Sequence, residues 1–143
     1  MRDILFRGRR VDNGEWEYGT PFFGGGACKM ICAVALHPDF VDEGNVYYSE
    51  GCPVDPATVG QYTGLCDKNG KKIFEGDIIR VIYIADCMPG NIPETWADLY
   101  QVVFSDHYHA WFTQLNDGDI GEWLYEYDGD CEIVGNIHDK ATV

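Results

Sequence analysis

Two histidines, His107 and His109, have the spacing in this chain that best suits a metal ion. In the segment "SDHYHAW" they are two positions apart, and side chains with that spacing share one face of a strand, as paired metal ligands often do. Asp106 precedes them, and Cys131 could approach from the last expected strand. The same segment also fits a polar hairpin turn before a core tryptophan. Because the sequence identifies no third ligand, we expect no metal and no cofactor, and a metal-dependent hydrolase stays an alternative.

The cysteines offer nucleophiles without a recognisable base. Cys28 and Cys32 have three residues between them, whereas redox pairs and zinc knuckles usually have two, so we interpret both as small core residues. Cys66 adjoins a turn and is expected to be more exposed. A catalytic thiol needs a base beside it, and no pattern in the sequence supplies one.

Three carboxylates, Asp55, Glu75 and Asp77, could support acid–base chemistry if their turns converged around a pocket. Turn formation already explains Glu75 and Asp77, because an aspartate after a glycine commonly bonds a nearby backbone N–H group. We therefore predict no catalytic residues and no enzymatic activity.

In the first 23 residues, three arginines lie close to aromatic residues. They flank Asn13-Gly14, a pair typical of a type I′ hairpin turn, in which both central residues need positive φ. A basic and aromatic hairpin can stack bases and hold phosphates, or it can form an oligomer interface. A plain hairpin core is the simpler interpretation. The candidate binding residues here are Arg7, Arg9, Arg10, Trp16 and Tyr18.

The stretch "VGQYTGLCDKNGKKIFEGDII" (59–79) has four glycines but matches no phosphate-binding loop. Their spacing fits neither GxGxxG nor a loop that ends in Gly-Lys-Ser/Thr. Asn69-Gly70 predicts a second hairpin turn, and Gly76 predicts a tight turn that Asp77 caps. We interpret these glycines as punctuation between strands.

The elements that must position these residues are short strands. About eight to ten are expected, with no long helix, and tight turns join them. Residues 78–85, "IIRVIYIA", predict a central strand buried on both faces. "GEWLYEY" (121–127) fits either a strand or a short helical turn. Within the linker 20–53, "CKMICAVAL" (28–36) predicts a strand or a buried helical turn, and a short strand is expected at 46–48 in an otherwise irregular segment. The linker 86–98 is predicted to be irregular.

We predict a mainly β, antiparallel fold in one domain, 1–143. An SH3-like barrel is expected largely from the second half, with an N-terminal β-hairpin extension. An N-terminal β subdomain over residues 1–53 and a barrel over residues 54–143 would be its two parts.

Charge is distributed unevenly along the 143 residues. The net charge is −14, and residues 73–143 carry two basic and 14 acidic side chains. This half would repel nucleic acids and anionic membranes. No apolar stretch has the length of a membrane span, and no apolar segment of secretory length follows the basic start. We expect a cytoplasmic protein with reduced thiols and no membrane partner.

Three blocks in order resemble the YopX family of bacteriophage and prophage proteins: "ILFRGRRVDNGEWEYG" (4–19), "VDPATVGQYTGLCDKNGKKIFEGDIIRV" (54–81) and "IVGNIHD" (133–139). The resemblance implies a phage-derived protein with a β-rich fold, an SH3-like barrel portion and no established activity. It carries over no catalytic residue. Cys66 departs from the family pattern, in which a charged residue is usual.

These observations favour a non-enzymatic accessory protein of a phage, which binds another protein, from host or phage, or itself. A nucleic-acid-related role is the alternative. It would take the form of direct binding through the basic hairpin or of DNA mimicry by the acidic second half.

Overall fold

The computed structural model describes residues 4–24, 27–32, 52–85 and 88–139. Packing divides the chain into two compact units, Met1–Tyr62 and Thr63–Val143. The division differs from the expected boundary at residue 53. Both units are built from antiparallel strands in the described residues, so the expectation of a mainly β, antiparallel fold is confirmed.

In the first unit, four strands pair in the order β4-β3-β2-β1, and the start of β5 continues the sheet beside β1. The strands are β1 (Phe6–Arg9), β2 (Trp16–Gly24), β3 (Ala27–Cys32), β4 (Cys52–Pro53) and β5 (Gly60–Cys66). A 3₁₀ turn, Pro56–Thr58, precedes β5. The residues 46–48, expected as a strand, lie outside the described residues.

The N-terminal hairpin is confirmed, but its turn is not type I′. Only Gly14 has positive φ, +73°, whereas Asn13 does not, and type I′ needs both. The Arg10 N–H donates to the Glu15 carbonyl at 2.8 Å, and the Gly14 N–H donates to the Arg10 carbonyl at 2.9 Å. The loop is therefore longer than two residues.

In the second unit, the end of β5 pairs with β6 (Lys72–Phe74), and five further strands form an antiparallel sheet in the order β10-β9-β8-β7-β11. These are β7 (Asp77–Ile84), β8 (Thr95–Ser105), β9 (Ala110–Gln114), β10 (Ile120–Trp123) and β11 (Glu132–Asn136). A 3₁₀ turn, Leu124–Tyr127, follows β10, so "GEWLYEY" holds a strand and a helical turn in succession. Residues 95–98, expected within a linker, belong to β8.

The predicted SH3-like barrel is not confirmed. Among the described residues, β10 and β11 lie at opposite edges of an open sheet, and no ladder joins them. A closed barrel would need such a pairing.

The core of the second unit lies on one face of this sheet. Its buried members are Ile73, Ile79, Val81, Tyr100, Val102, Leu124 and Cys131. The strand β7 is central, as predicted, because it pairs with both β8 and β11. The prediction that β7 is buried on both faces was wrong, since Ile82 and Ile84 are exposed and alternate with the inward residues. The alternation is that of a sheet with one packed face.

Turns in the 59–79 stretch are scaffold, as the sequence predicted. Gly70 has φ of +78° and donates its N–H to the Asp67 carbonyl, which closes the β5–β6 hairpin. Gly76 has φ of +88°. The Phe74 N–H donates to Asp77 Oδ2 at 2.8 Å, so Asp77 closes the next turn.

Candidate functional site

The basic and aromatic residues of the first hairpin form an internal stack. Arg7 and Arg9 lie two apart on β1, and Trp16 is paired with Arg9 on β2. The guanidinium carbons of Arg7 and Arg9 are 4.1 and 4.3 Å from the Trp16 ring centroid. Arg7 is buried, and the Arg9 guanidinium also donates to the Gly14 carbonyl. Three of the five predicted residues are thus brought together, as a cation–π cluster.

The remaining two candidates are placed differently. Arg10 alternates to the other face of β1 and forms ion pairs with Asp12 at 2.8 Å and Glu17 at 3.6 Å. The hydrogen bond and charge of Asp12 raise the pKa of Arg10. Tyr18 pairs in register with Arg7 and is 45% exposed. Arg10 therefore does not join Arg7 and Arg9 on one basic surface.

The histidines lie in the turn between β8 and β9, and both are exposed. His109 adopts φ of +52°, and the His107 ring meets the Tyr108 ring edge-on at 4.6 Å. No group of three or more potential metal ligands is assembled within the described residues. Cys131 is 2% exposed, and burial, with the charge of Asp67 next in importance, raises the pKa of its thiol to about 11. It would stay a neutral thiol near pH 7.

Two of the three candidate carboxylates, Asp55 and Asp77, have structural roles in different turns. Asp55, in the first unit, accepts the Ala57 N–H at 3.0 Å and caps the 3₁₀ turn. Asp77, in the second, is 1% exposed and closes its own turn. Burial raises the pKa of Glu75. Cys66 is half-buried, and its N–H donates to Asp128 Oδ1 at 3.1 Å. The side chains of Cys28 and Cys32 lie outside the described set.

A feature that the sequence analysis missed is an aromatic patch on the second unit. Tyr108, Phe112, Trp123 and Tyr125 form a continuous set of ring contacts, with centroid separations from 4.4 Å (Phe112–Trp123) to 6.0 Å (Trp123–Tyr125). Phe112 is 4% exposed, whereas Tyr108, Trp123 and Tyr125 are 54%, 36% and 60% exposed. The aromatic patch therefore has a buried floor and three solvent-facing rings.

Local structure explains how the patch is assembled. The pairing of β9 with β10 brings Trp123 opposite Phe112, across an irregularity between Ile120 and Trp123. A Cβ at Gly121 would lie 2.7 Å from Thr113 Oγ1. The Thr113 hydroxyl in turn donates to the Glu122 carbonyl and accepts the Glu122 N–H. This close approach fixes the strand that carries Trp123.

The patch lies in a negative electrostatic environment. A hydrogen bond to Glu126 and the charge of Glu126, followed by burial and then the charge of Glu122, raise the pKa of Tyr125. Carboxylates beside exposed rings favour a cation, because both the charge and the negative ring face attract it.

A family model matches residues 25–142, most of the chain, under the description "YopX protein". The chain belongs to the YopX family. The resemblance inferred from the sequence is therefore confirmed. The match includes two of the three blocks, 54–81 and 133–139.

A solved structure has the same fold as this YopX family member. It is the crystal structure of protein EF1440 from Enterococcus faecalis, with 22% sequence identity and a TM-score of 0.56. The match covers 96% of this chain and 95% of that one. No curated protein matches the sequence. In the described part of the chain, no helix has the length and apolar character to cross a membrane.

Proposed function

We propose that this YopX family member is a non-enzymatic binding module of phage or prophage origin, which acts in the bacterial cytoplasm. Its partner would be a protein with a basic, extended or loop segment, and the aromatic patch would receive that segment. The observation that carries the proposal is the exposure of Tyr108, Trp123 and Tyr125 as one contiguous group. Tyrosine and tryptophan dominate the binding energy of many protein interfaces, and contiguous exposed apolar patches commonly mark such sites.

The charge of the second unit supports a basic partner. The second unit has 15 acidic and five basic side chains, and two of the basic ones, Lys68 and Arg80, pair with Glu132. An approaching Lys or Arg side chain would meet the carboxylates of Glu122 and Glu126 beside the aromatic faces. The attraction to the carboxylates and the cation–π attraction to the rings both become stronger as water leaves the contact.

Direct nucleic-acid binding has less support. Its candidate residues Arg7 and Arg9 stack on Trp16 within the first unit, and Arg10 is held by Asp12. Mimicry of DNA requires the same basic class of partner as the aromatic patch. However, Asp128 accepts the Cys66 N–H and Asp117 accepts the Asp119 N–H. These two carboxylates serve local structure.

The proposal can be tested with Trp123→Ala and Tyr125→Ala combined, which removes two rings and leaves the net charge unchanged. A labelled peptide of alternating arginine and leucine is the probe, and its acidic counterpart with glutamate is the negative control. We expect the double variant to bind the basic peptide at least about thirtyfold more weakly, because such anchors contribute about 2 kcal/mol or more. Fluorescence anisotropy gives both affinities.

Trp96→Ala is the matched control, since Trp96 is also an exposed tryptophan, 50% accessible, but lies outside the patch. It should bind the basic peptide as the wild type does. Equal affinities of wild type and double variant would refute the proposal, because binding would then depend on net charge alone. Pull-downs from host cells with the same three proteins would identify the natural partner as the species that only the double variant loses.

A further inference from the structure

The hairpin of β7 and β8 extends beyond the rest of its sheet. The pairing of β11 with β7 ends at Arg80, and the pairing of β9 with β8 starts at Gln101. Beyond those points, residues 81–84 pair with residues 95–98 and with no other strand among the described residues. We call these eight residues the ribbon. A two-stranded ribbon is marginally stable unless it packs against other groups.

One face of the ribbon has such packing. Tyr83 stacks on Trp96, with 5.5 Å between ring centroids and a 20° angle between planes. The Tyr83 hydroxyl is 2.7 Å from the Tyr100 hydroxyl and 2.9 Å from the Tyr127 hydroxyl. The inner face is thus anchored to the second unit.

The outer face of the ribbon is aliphatic and exposed. Ile82 and Ile84 are 56% and 68% exposed, and Leu99, next along β8 on this face, is 50% exposed. Thr95 and Ala97 complete the face by strand alternation. Its side chains carry no charge, in a chain whose net charge is −14.

A groove continues this face toward the base of the sheet. It has a volume of about 260 Å³ and is lined by Ile78, Leu99, Tyr100, Gln101, Gln114, Leu115, Asn116 and Gly118. None of these side chains is charged. Between ribbon and groove lies Arg80, which forms an ion pair with Glu132, and Glu132 also pairs with Lys68 at 3.6 Å. Protruding isoleucines and an uncharged groove therefore occupy one continuous surface.

We propose that this surface is a self-association site, on which a second copy of the chain docks about a two-fold axis. Each ribbon lies over the groove of the other copy, so that Ile84 enters between the positions of Leu99 and Leu115. A two-fold contact needs a surface that complements itself, and here the projection and the recess are on the same face. None of the four residues of the aromatic patch lines the ribbon or the groove, so the proposal uses residues other than those of the proposed function.

Charge selects a second copy over a basic partner at this site. A basic segment gains nothing from an uncharged surface. Two copies that each carry 14 negative charges repel everywhere else, but an uncharged aliphatic face lets them meet without opposed carboxylates. Salt should therefore strengthen this contact by screening the repulsion, whereas salt would weaken a contact between a basic hairpin and an acidic surface.

Sedimentation velocity over a concentration series, at about 0.05 and 1 M NaCl, measures the dimer. We expect its dissociation constant to fall several-fold at the higher salt, and Ile84→Glu to weaken it at least about tenfold. Ile4→Glu is the matched control, because Ile4 is 71% exposed but lies in the first unit. Circular dichroism would verify that each variant is folded.

A mixed-variant experiment tests the geometry itself. Ile84→Lys and Leu115→Glu should each abolish the dimer alone, because a charge is buried without a partner. The two variants mixed together should form a heterodimer. In one of its two contacts the wild-type Ile84 meets the wild-type Leu115, and in the other the introduced lysine meets the introduced glutamate. Three results would overturn the proposal. They are a monomer at every protein and salt concentration, a dimer that salt weakens, and a dimer of Ile84→Glu with the same dissociation constant as the wild type.

Discussion

The hydroxyl of Tyr83 lies 2.7 Å from the hydroxyl of Tyr100, in a cluster that Tyr127 completes at 2.9 Å. Tyr83 comes from β7 and Tyr100 from β8, whereas Tyr127 ends the 3₁₀ turn after β10. The cluster therefore joins separate elements of the second unit through side-chain hydroxyls. Burial is the main cause that raises the pKa of all three, to about 12 for Tyr83.

These shifts predict a loss of stability at alkaline pH. A tyrosine in the unfolded chain has a pKa of about 10, and the folded pKa of Tyr83 is higher, so the neutral form stabilises the fold. That contribution is complete below about pH 10 and is lost as the pH rises through about 12. Urea unfolding at pH 8 and pH 11 measures the difference.

Tyr83→Phe should lower the free energy of unfolding at pH 8 by about 1 kcal/mol, because two hydrogen bonds are lost while the ring stack on Trp96 remains. The decrease between pH 8 and pH 11 should also shrink. Tyr108→Phe is the control, since the exposed Tyr108 hydroxyl has no such partners among those described. A wild-type alkaline profile in Tyr83→Phe would contradict this account.

Asp67 predicts the opposite dependence, at acid pH. It is 3% exposed, and its Oδ1 accepts the N–H groups of Asn69 and Lys71, each at 2.9 Å, while its Oδ2 accepts that of Ile133 at 3.2 Å. Desolvation raises its pKa, but these bonds outweigh desolvation and hold the pKa below its usual value. The contribution is present above the unfolded pKa of about 3.9 and is lost as the pH falls through the folded value.

Asp67→Asn should therefore destabilise the protein by about 1–3 kcal/mol at pH 7, because the amide places a donor against a backbone N–H. Its free energy of unfolding should also vary less between pH 6 and pH 3. The control is Asp117→Asn, since the exposed Asp117 accepts the N–H of its neighbour Asp119 in a local turn. Equal acid sensitivity in the Asp67 variant and the wild type would show that other carboxylates govern acid unfolding.

Sequence patterns predicted the local features because they depend on neighbouring residues. Asn69-Gly70 and Gly76-Asp77 specify turns through the positive φ of each glycine and, in the second turn, through the Asp77 side chain. The apolar run at 78–85 predicted burial on both faces, and that prediction was wrong. The structure exposes Ile82 and Ile84 because the flanking strands end before them, and the lengths of partner strands are not encoded in β7 itself.

The aromatic patch was out of reach for a similar reason. Tyr108 and Trp123 are 15 positions apart, and only the β9–β10 pairing brings them together. The sequence feature that could have indicated the patch is the group of tyrosines and tryptophans near Glu122 and Glu126. These residues follow no fixed spacing that would predict a shared surface. The sequence predicted that Arg7 and Arg9 lie near Trp16 in the hairpin. It could not show that both guanidinium groups contact the Trp16 ring.

Gly121 should control the aromatic patch. A Cβ there would lie 2.7 Å from Thr113 Oγ1, and Thr113 is fully buried. Gly121→Ala must therefore shift β10 or turn the Thr113 hydroxyl away from its two bonds to Glu122. We expect a loss of about 1–3 kcal/mol in stability, together with weaker binding of the basic peptide. Adding Thr113→Ala should relieve part of the loss, because the atom in the way is removed. Additive effects of the two substitutions in a double-mutant cycle would disprove the steric coupling.

Trp16 should stabilise the first hairpin more than any charge on it does. Its ring receives the guanidinium groups of both Arg7 and Arg9, so Trp16→Leu removes two cation–π contacts, each about 0.5–2 kcal/mol. Arg10→Gln removes only exposed ion pairs, which contribute about 0–1 kcal/mol. Thermal unfolding of the two variants should therefore separate clearly. If Arg7 and Arg9 served nucleic acid instead, Trp16→Leu would release them and leave stability nearly unchanged, and gel shifts with DNA and RNA would show binding that falls steeply with salt.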